Sequence, residues 1–351
     1  MTPHKLASAI AALVLLTSAP QAQAGTCLEV TLTGTQGGPP VFQGQAGSGT
    51  LVTYGTEENN CRDTLLQFDT GRGTTQQLSK IGVPAARLTA VFFTHIHSDH
   101  SEGLSDLMQL RWHFNSGVAK VDLPCHEDVK AFAGHTMSCT KFATHIGDAL
   151  IQSGEMAQRL AENPKRLPGG PAEILNVTTF GPSTTPQTIW ESGDVTVSAI
   201  SSRHVAGHTS YRVDTPAGSV VIGGDAGNDA PKPPRETSTS AQVELLAKDA
   251  DILVHSVIHP VMGPDGTTGF PPPIYHRQST ATDLGSLAAR AGVTNLMYTH
   301  LIPPMGAPRQ GPYPLPAPLT EEDYVGSARE GGFEGNVVVG SDLAKLRLTT
   351  E

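Results

Sequence analysis

The sequence has 351 residues, with 23 Lys plus Arg against 33 Asp plus Glu, a formal net charge of -10, and no basic run anywhere along it. A surface of that sign repels phosphate backbones, so composition argues against a nucleic-acid partner. The length exceeds the ~100 to 200 residues of an average domain and suits one layered α/β domain that carries an insertion.

In chain order, Lys5 precedes an apolar run from Ala7 to Leu16 and then Ala22-Gln23-Ala24 before Gly25, the layout of a secretory signal with an Ala-x-Ala cleavage site. Residues 1–24 are therefore expected to be a signal peptide and 25–351 the mature chain, periplasmic or secreted. No later stretch approaches the ~20 continuous apolar residues of a spanning helix, so no membrane span is expected after cleavage. The four cysteines, Cys27, Cys61, Cys125 and Cys139, form an even number in a chain bound for an oxidising compartment, and disulfides are expected. Their placement favours Cys27 with Cys61 and Cys125 with Cys139, four free buried thiols being the alternative.

From Leu28 to Asp69, β-rich stretches separated by Gly, Pro and Asn predict antiparallel strands and turns. A helix over Thr74 to Ile81, a buried strand over Leu88 to Thr94 and a helix over Glu102 to Trp112 follow. Between 113 and 186 the patterns weaken to one strand near 119–124 and helices near 127–132 and 149–162, which reads as a partly helical, lid-like insertion. The second half repeats the scheme, with strands at 194–201, 210–214, 218–222, 252–254 and 295–299 and helices at 242–248 and 281–291. After a Pro-rich loop come a helix near 321–330 and a final β pair. Strands grouped with helices in both halves predict two sheets packed face to face with helices outside.

At the end of the buried strand stands Thr94-His95-Ile96-His97-Ser98-Asp99-His100. Histidines at i and i+2 of an extended end point the same way, and the turn that follows can aim Asp99 and His100 at a second point nearby. Imidazole and carboxylate without thiolate suit zinc or a similar divalent ion. A surface His-rich patch with adventitious metal affinity is the bland alternative.

This segment resembles the His-x-His-x-Asp-His signature of the metallo-β-lactamase superfamily, and the resemblance extends over nearly the whole mature chain. Phe68-Asp69-Thr70-Gly71 is similar to the family's strand-end Asp motif, His204-Val-Ala-Gly-His208 to its third ligand motif, Gly224-Asp225 to its bridging aspartate and Tyr298-Thr-His300 to its last histidine. The fold implied is α/β, a four-layer αββα sandwich of two mixed sheets with outer helices. The implied cofactors are two divalent metal ions, zinc first among them. One would be held by His95, His97 and His204, the other by Asp99, His100 and His300, with Asp225 bridging. His208 competes with His204 as the ligand. The implied catalytic residues are Asp99, orienting a water, and His255, protonating a leaving group, although Ser256 stands where relatives carry Glu. His276 can cap a helix or line the pocket.

The activity implied is hydrolysis by a metal-bridged hydroxide. His97 stands where diiron electron-transfer relatives carry Glu, and Asp225 where true β-lactamases carry Cys or Ser, which favours ester hydrolysis. The stretch from His276 to Pro303 and Gly340-Ser-Asp342-Leu near the terminus most resemble the arylsulfatase and ribonuclease Z-like branch. The acidic charge then favours a small-molecule ester, sulfate or phosphate, over nucleic acid. Carboxyl ester, lactone or amide hydrolysis is the first alternative, and a non-catalytic exported metal-binding protein the second. The pocket is expected to form from 113–186 and the Pro-rich loop at 303–320. Oligomeric state is not legible.

Overall fold

The computed structural model describes residues 25–114, 120–265 and 268–350. The expected signal peptide at 1–24 lies outside them. Fourteen strands form the body of the domain: β1 (Thr26–Gly34), β2 (Gly49–Thr56), β3 (Thr64–Phe68), β4 (Ala90–Phe92), β5 (Val121–His126), β6 (Leu175–Phe180), β7 (Gln187–Ser192), β8 (Val195–Ser201), β9 (Thr209–Thr215), β10 (Gly218–Ile222), β11 (Ile252–Ile258), β12 (Asn295–Ile302), β13 (Asn336–Val339) and β14 (Lys345–Thr349). They make two seven-stranded sheets, one ordered β14-β1-β2-β3-β4-β5-β6 and the other β13-β12-β11-β10-β9-β8-β7.

Side-chain alternation along the strands sorts residues between layers. Leu66 and Phe68 of β3, Ile252 and Val254 of β11 and Met297 of β12 enter the core between the sheets, together with Phe92 and Tyr211. Leu65, Val91 and Leu123 point the other way, into a cluster with Leu78 of α1 (Thr74–Lys80) and, beyond the short α2 (Ser98–Ser101), Leu104, Leu107 and Met108 of α3 (Leu104–Phe114). On the far face of the second sheet Val221, Leu253 and Leu296 meet α6 (Ala241–Ala247), α8 (Ala281–Ala291) and α9 (Glu321–Glu330). The result is helix, sheet, sheet, helix. Burial of each large apolar side chain stabilises this by roughly 1.5–3 kcal/mol. Helix ends follow local chemistry: Thr280 caps α8 by accepting from the Asp283 N–H, and Gly292, at φ 72°, ends it in the left-handed conformation.

In each sheet antiparallel pairs give way to parallel ones: β3, β4, β5 and β6 run parallel, as do β10, β11, β12 and β13. The carboxyl ends of the parallel strands are where an open α/β sheet offers its crevice.

Segment 113–186, expected as a lid-like insertion, supplies β5 and β6 to the first sheet, and its helices α4 (Cys139–Gln152) and α5 (Glu155–Glu162) bury Ala143 and Met156 in the outer core. The helix expected at 127–132 is a two-stranded ribbon of Val129–Lys130 and Thr136–Met137 with a single turn of 3-10 helix between. The helix expected at 149–162 is two, split at Gly154, whose φ of 85° interrupts the spiral. The final β pair is no hairpin: β13 lies parallel to β12 in one sheet and β14 antiparallel to β1 in the other. Disulfides join Cys27 to Cys61 and Cys125 to Cys139. Among the described residues no helix is long and apolar enough to cross a membrane.

Candidate active site

The sheet ends converge. At the end of β3, Asp69 adopts φ 55° and donates its N–H to Phe92 O, while Thr70 N–H bonds to His100 O. Gly71 lets this turn press against the histidine segment, since a Cβ there would stand 2.3 Å from Asp99 O. After β4 the chain stays extended through His97, the residue preceding the short helix Ser98–Ser101, α2, which turns Asp99 and His100 inward.

The geometry gathers the seven residues singled out as ligands. His95, His97 and His204 offer ring nitrogens within 4.8 Å of one another, as do the donor atoms of His95, His100 and Asp225, and of Asp99, His100 and His300. Asp225 lies between them: Oδ1 is 3.5 Å from His100 Nε2, and Oδ2 is 3.7 Å from His204 Nε2 and 3.4 Å from His300 Nε2. Asp99 Oδ2 is 3.1 Å from His300 Nε2, and His95 Nε2 is 2.9 Å from His97 Nδ1.

Supporting bonds orient the rings. Asp69 Oδ2 accepts from His100 Nδ1 at 2.9 Å and from Thr94 Oγ1 at 2.8 Å, and its Oδ1 accepts from Thr94 N–H at 2.7 Å. This leaves His100 Nε2 aimed inward, the arrangement in which a carboxylate holds a ligating imidazole. His204 Nδ1 bonds to Arg277 O at 3.3 Å, again freeing Nε2. His208 differs in kind. Its Nε2 accepts from Asp225 N–H at 3.1 Å and its Nδ1 meets Ser202 Oγ at 2.8 Å, so both nitrogens are engaged and neither faces the site. Gly224, at φ 62°, admits this contact, for a Cβ would stand 2.9 Å from His208 Nε2.

Burial, and after it the neighbouring His100, push His95 well below the ordinary histidine range, and burial lowers His204 to about 4. Burial opposes ionisation of Asp225 and Asp99, yet His300 and His100 hold both well below the usual carboxylate range. For His100 burial is outweighed by Asp225 and Asp69, which raise it. His100 Nε2 and Asp225 Oδ1 are buried without a hydrogen-bond partner among the described residues. Buried polar atoms left so, in a converging set of imidazoles and anionic carboxylates without thiolate, fit divalent cations of the zinc type.

His255 stands apart. It is fully buried, packed against Gly223, and does not line the cleft. Its Nδ1 donates to Ser256 O at 2.6 Å, and burial lowers it to about 4. That bond leaves Nε2 buried without a hydrogen-bond partner among the described residues. His276, which follows α7 (Pro272–Tyr275), is buried, caps neither neighbouring helix through its side chain and is absent from the cleft wall. His259 is structural, accepting from Val261 N–H and meeting Ser327 Oγ.

His97, Asp99, His204, Asp225 and His300 open on a cleft of about 490 Å³. Its walls are Gly38–Pro40 and residues of 270–278, 302 and 310–313. The Pro-rich loop contributes as expected from sequence, whereas none of the described residues of 113–186 lines the cleft. Arg277, Gln278 and Gln310 line it too, and no sequence pattern marked them.

A ribonuclease Z of Mycobacterium bovis (strain BCG / Pasteur 1173P2) is 29% identical over 327 residues, covering 92% of this chain and 98% of that protein. The metallo-β-lactamase fold protein YhfI from Bacillus subtilis superposes with a TM-score of 0.57 at 20% identity, over 92% of this chain and 99% of its own. The fold is that of the metallo-β-lactamase superfamily. Human tRNase Z, short form, shares the fold with a TM-score of 0.57 at 16% identity, over 91% of this chain and 98% of that one. The family described as Anti-Pycsar protein Apyc1 matches residues 51–133. The similarity to ribonuclease Z over 92% of the chain, together with the gathered donor set, supports a metal-dependent hydrolase.

These relatives overturn one expectation. Composition set nucleic acid aside in favour of a small-molecule ester, but ribonuclease Z, the relative matched over 92% of the chain, is by name an enzyme of RNA. The physical error was to let a net charge of -10 speak for the site. A phosphate entering the cleft would meet a local potential, set by whatever cations the His and Asp donors hold and by the guanidinium of Arg277, and not the charge summed over the surface.

Proposed function

We propose that the protein is a metal-dependent phosphodiesterase whose substrates are nucleotide phosphodiesters, RNA among them. The observation that carries this reading is the set of converging donors around Asp225, opening at the sheet ends on a cleft with a cationic rim residue, Arg277. The names of the relatives support the substrate class.

His95, His97 and His204 would hold one cation and Asp99, His100 and His300 the other, with Asp225 reaching both. When bound, such a pair supplies acidification of water and neutralisation of charge on the attacked phosphoryl group. Asp99, kept anionic by His300, faces the cleft and accepts a hydrogen bond from the attacking water. Arg277 steers and orients the phosphate. Asp69 fixes His100 so that no reorganisation is needed as charge develops. We further propose export, supported by the signal layout and two disulfides; N-terminal sequencing of protein from the cell envelope and medium, with a start at Gly25 expected, tests it.

The test of activity is turnover of bis-p-nitrophenyl phosphate, an RNA bearing a 3′ extension and p-nitrophenyl sulfate by the purified protein loaded with Zn²⁺ or Mn²⁺. Cleavage of the two phosphodiesters, abolished by a chelator and at least about tenfold faster than sulfate release, is expected. Sulfate release without phosphodiester cleavage would sink the reading, and metal binding without turnover of any ester would favour a binding protein.

A further inference from the structure

Beyond the metal centre the cleft carries a second set of unspent groups. Gln278 and Gln310 both line it, each only 5% exposed, and the amide oxygen of each is buried with no hydrogen-bond partner among the described residues. Buried amide oxygens are nearly always bonded, so two such atoms bordering one cleft mark where a ligand completes the pairing. Gln310 cannot simply turn over to offer a donor. Its Nε2 donates to Gly37 O at 3.2 Å, and reversal would set oxygen against oxygen. It presents an acceptor.

The same wall is aromatic. Arg309–Gln310 pairs with Tyr313–Pro314 in a two-stranded ribbon whose register sets Gln310 opposite Tyr313. The Tyr313 ring packs edge-to-face on Phe270, with centroids 5.2 Å apart and planes at 76°, and Ile274 adds apolar surface. A phosphodiester group by itself uses none of this. A flat, apolar-faced heterocycle with N–H groups at its edge uses both the rings and the acceptors.

We propose that this cleft wall is a nucleobase subsite, in which the base of a nucleotide substrate lies against Phe270 and Tyr313 while Gln310 and Gln278 accept from its amino or ring N–H. The inference rests on the phosphodiesterase reading for the rest of the ligand, and it makes Gln310 and Gln278 determinants of specificity.

Calorimetric titration of the zinc-loaded protein with cytidine 5′-monophosphate, adenosine 5′-monophosphate and ribose 5-phosphate tests it without requiring turnover. The nucleotides are expected to bind at least about tenfold more tightly than the base-free sugar phosphate, and Gln310→Leu and Gln278→Leu each to cut that preference to under about threefold. Placing the variants on separate segments guards against one failing to fold. Equal affinity for base-bearing and base-free ligands, no measurable binding of any, or a preference untouched in both variants would overturn the subsite. A protein that shows the preference yet cleaves no phosphodiester would instead overturn the activity reading alone.

Discussion

The two sides of the cleft are held by different means. The metal side is built at strand ends: Asp69 after β3, the histidine segment after β4, His204 after β8, Asp225 after β10 and His300 within β12, with Asp69 tied to β4 through Phe92 O and Thr94 to β9 through the Thr209 N–H. The opposite wall is built from connections, with Gly38–Pro40 leaving β1 and residues 270–278 and 302–313 crossing between the elements of the second sheet. Sheets fix atoms to the tolerance that coordination needs, while loops can change shape without disturbing the core. On the proposed function, chemistry therefore belongs to the rigid side and selectivity to the wall.

Removing the carboxylate at the centre of the rigid side is the sharpest way to break that division. Asp225→Ala is expected to lower kcat by about a thousandfold on phosphodiesters and to reduce bound metal below that of the unaltered protein, measured by elemental analysis beside initial rates. Near-normal turnover with Asp225 gone would show that the centre is not organised around it. The disulfides test whether the sheet's staple and its site are separable. Cys27→Ser with Cys61→Ser opens a link of sequence separation 34, far from the cleft, and is expected to cost roughly 3 to 4 kcal/mol in denaturant unfolding. Metal affinity should move by less than about twofold. A large drop in affinity would mean that strain in the first sheet reaches the strand ends.

Legibility in the sequence followed the same division. His95, His97, Asp99 and His100 stand within six residues, so their chemistry was visible in one window, and Asp225 and His300 were reached through a resemblance whose motifs sit at strand ends. His204 was preferred to His208 through the resemblance alone, because the physical difference turns on which nitrogens the backbone N–H of Asp225 and the hydroxyl of Ser202 engage. The surroundings of His255 were not legible for a similar reason: its Nδ1 is engaged by Ser256 O, which no spacing reveals. Segment 113–186 misled because β6 pairs parallel with β5 across an excursion of almost fifty residues, so strand and partner share no local signal. Gln278 and Gln310 were invisible because a buried, half-bonded amide is a property of packing.

A carboxylate behind the ligands probes the rigid side more gently. Asp69 touches no cleft surface yet accepts from Thr94 N–H, Thr94 Oγ1 and His100 Nδ1. Asp69→Ala is expected to weaken metal binding by about 10- to 100-fold in competition with a chromogenic chelator. Turnover at saturating metal should fall less than affinity does. Unchanged affinity would show that the fold alone positions His100.

The smallest expected effect is also the most discriminating between the two means of support. Tyr211 of β9 sends its hydroxyl across the inter-sheet core to Phe93 O at 2.6 Å, one residue before Thr94 and two before His95. It is fully buried, and burial raises its ionisation far above the ordinary tyrosine range, so it serves as a neutral donor at any working pH. Tyr211→Phe keeps the ring contacts with Phe68 and Phe92, at 5.5 and 5.6 Å between centroids, and removes only the hydrogen bond. Global stability should fall by about 1 to 1.5 kcal/mol, read from the denaturant midpoint. If Asp69 and the sheet backbone suffice to fix the histidine segment, chelator competition should show metal affinity within about threefold of the unaltered protein. A larger loss would mean that the second sheet anchors the first sheet's ligands directly, and that the rigid side is one unit spanning both sheets and not two strand ends that happen to meet.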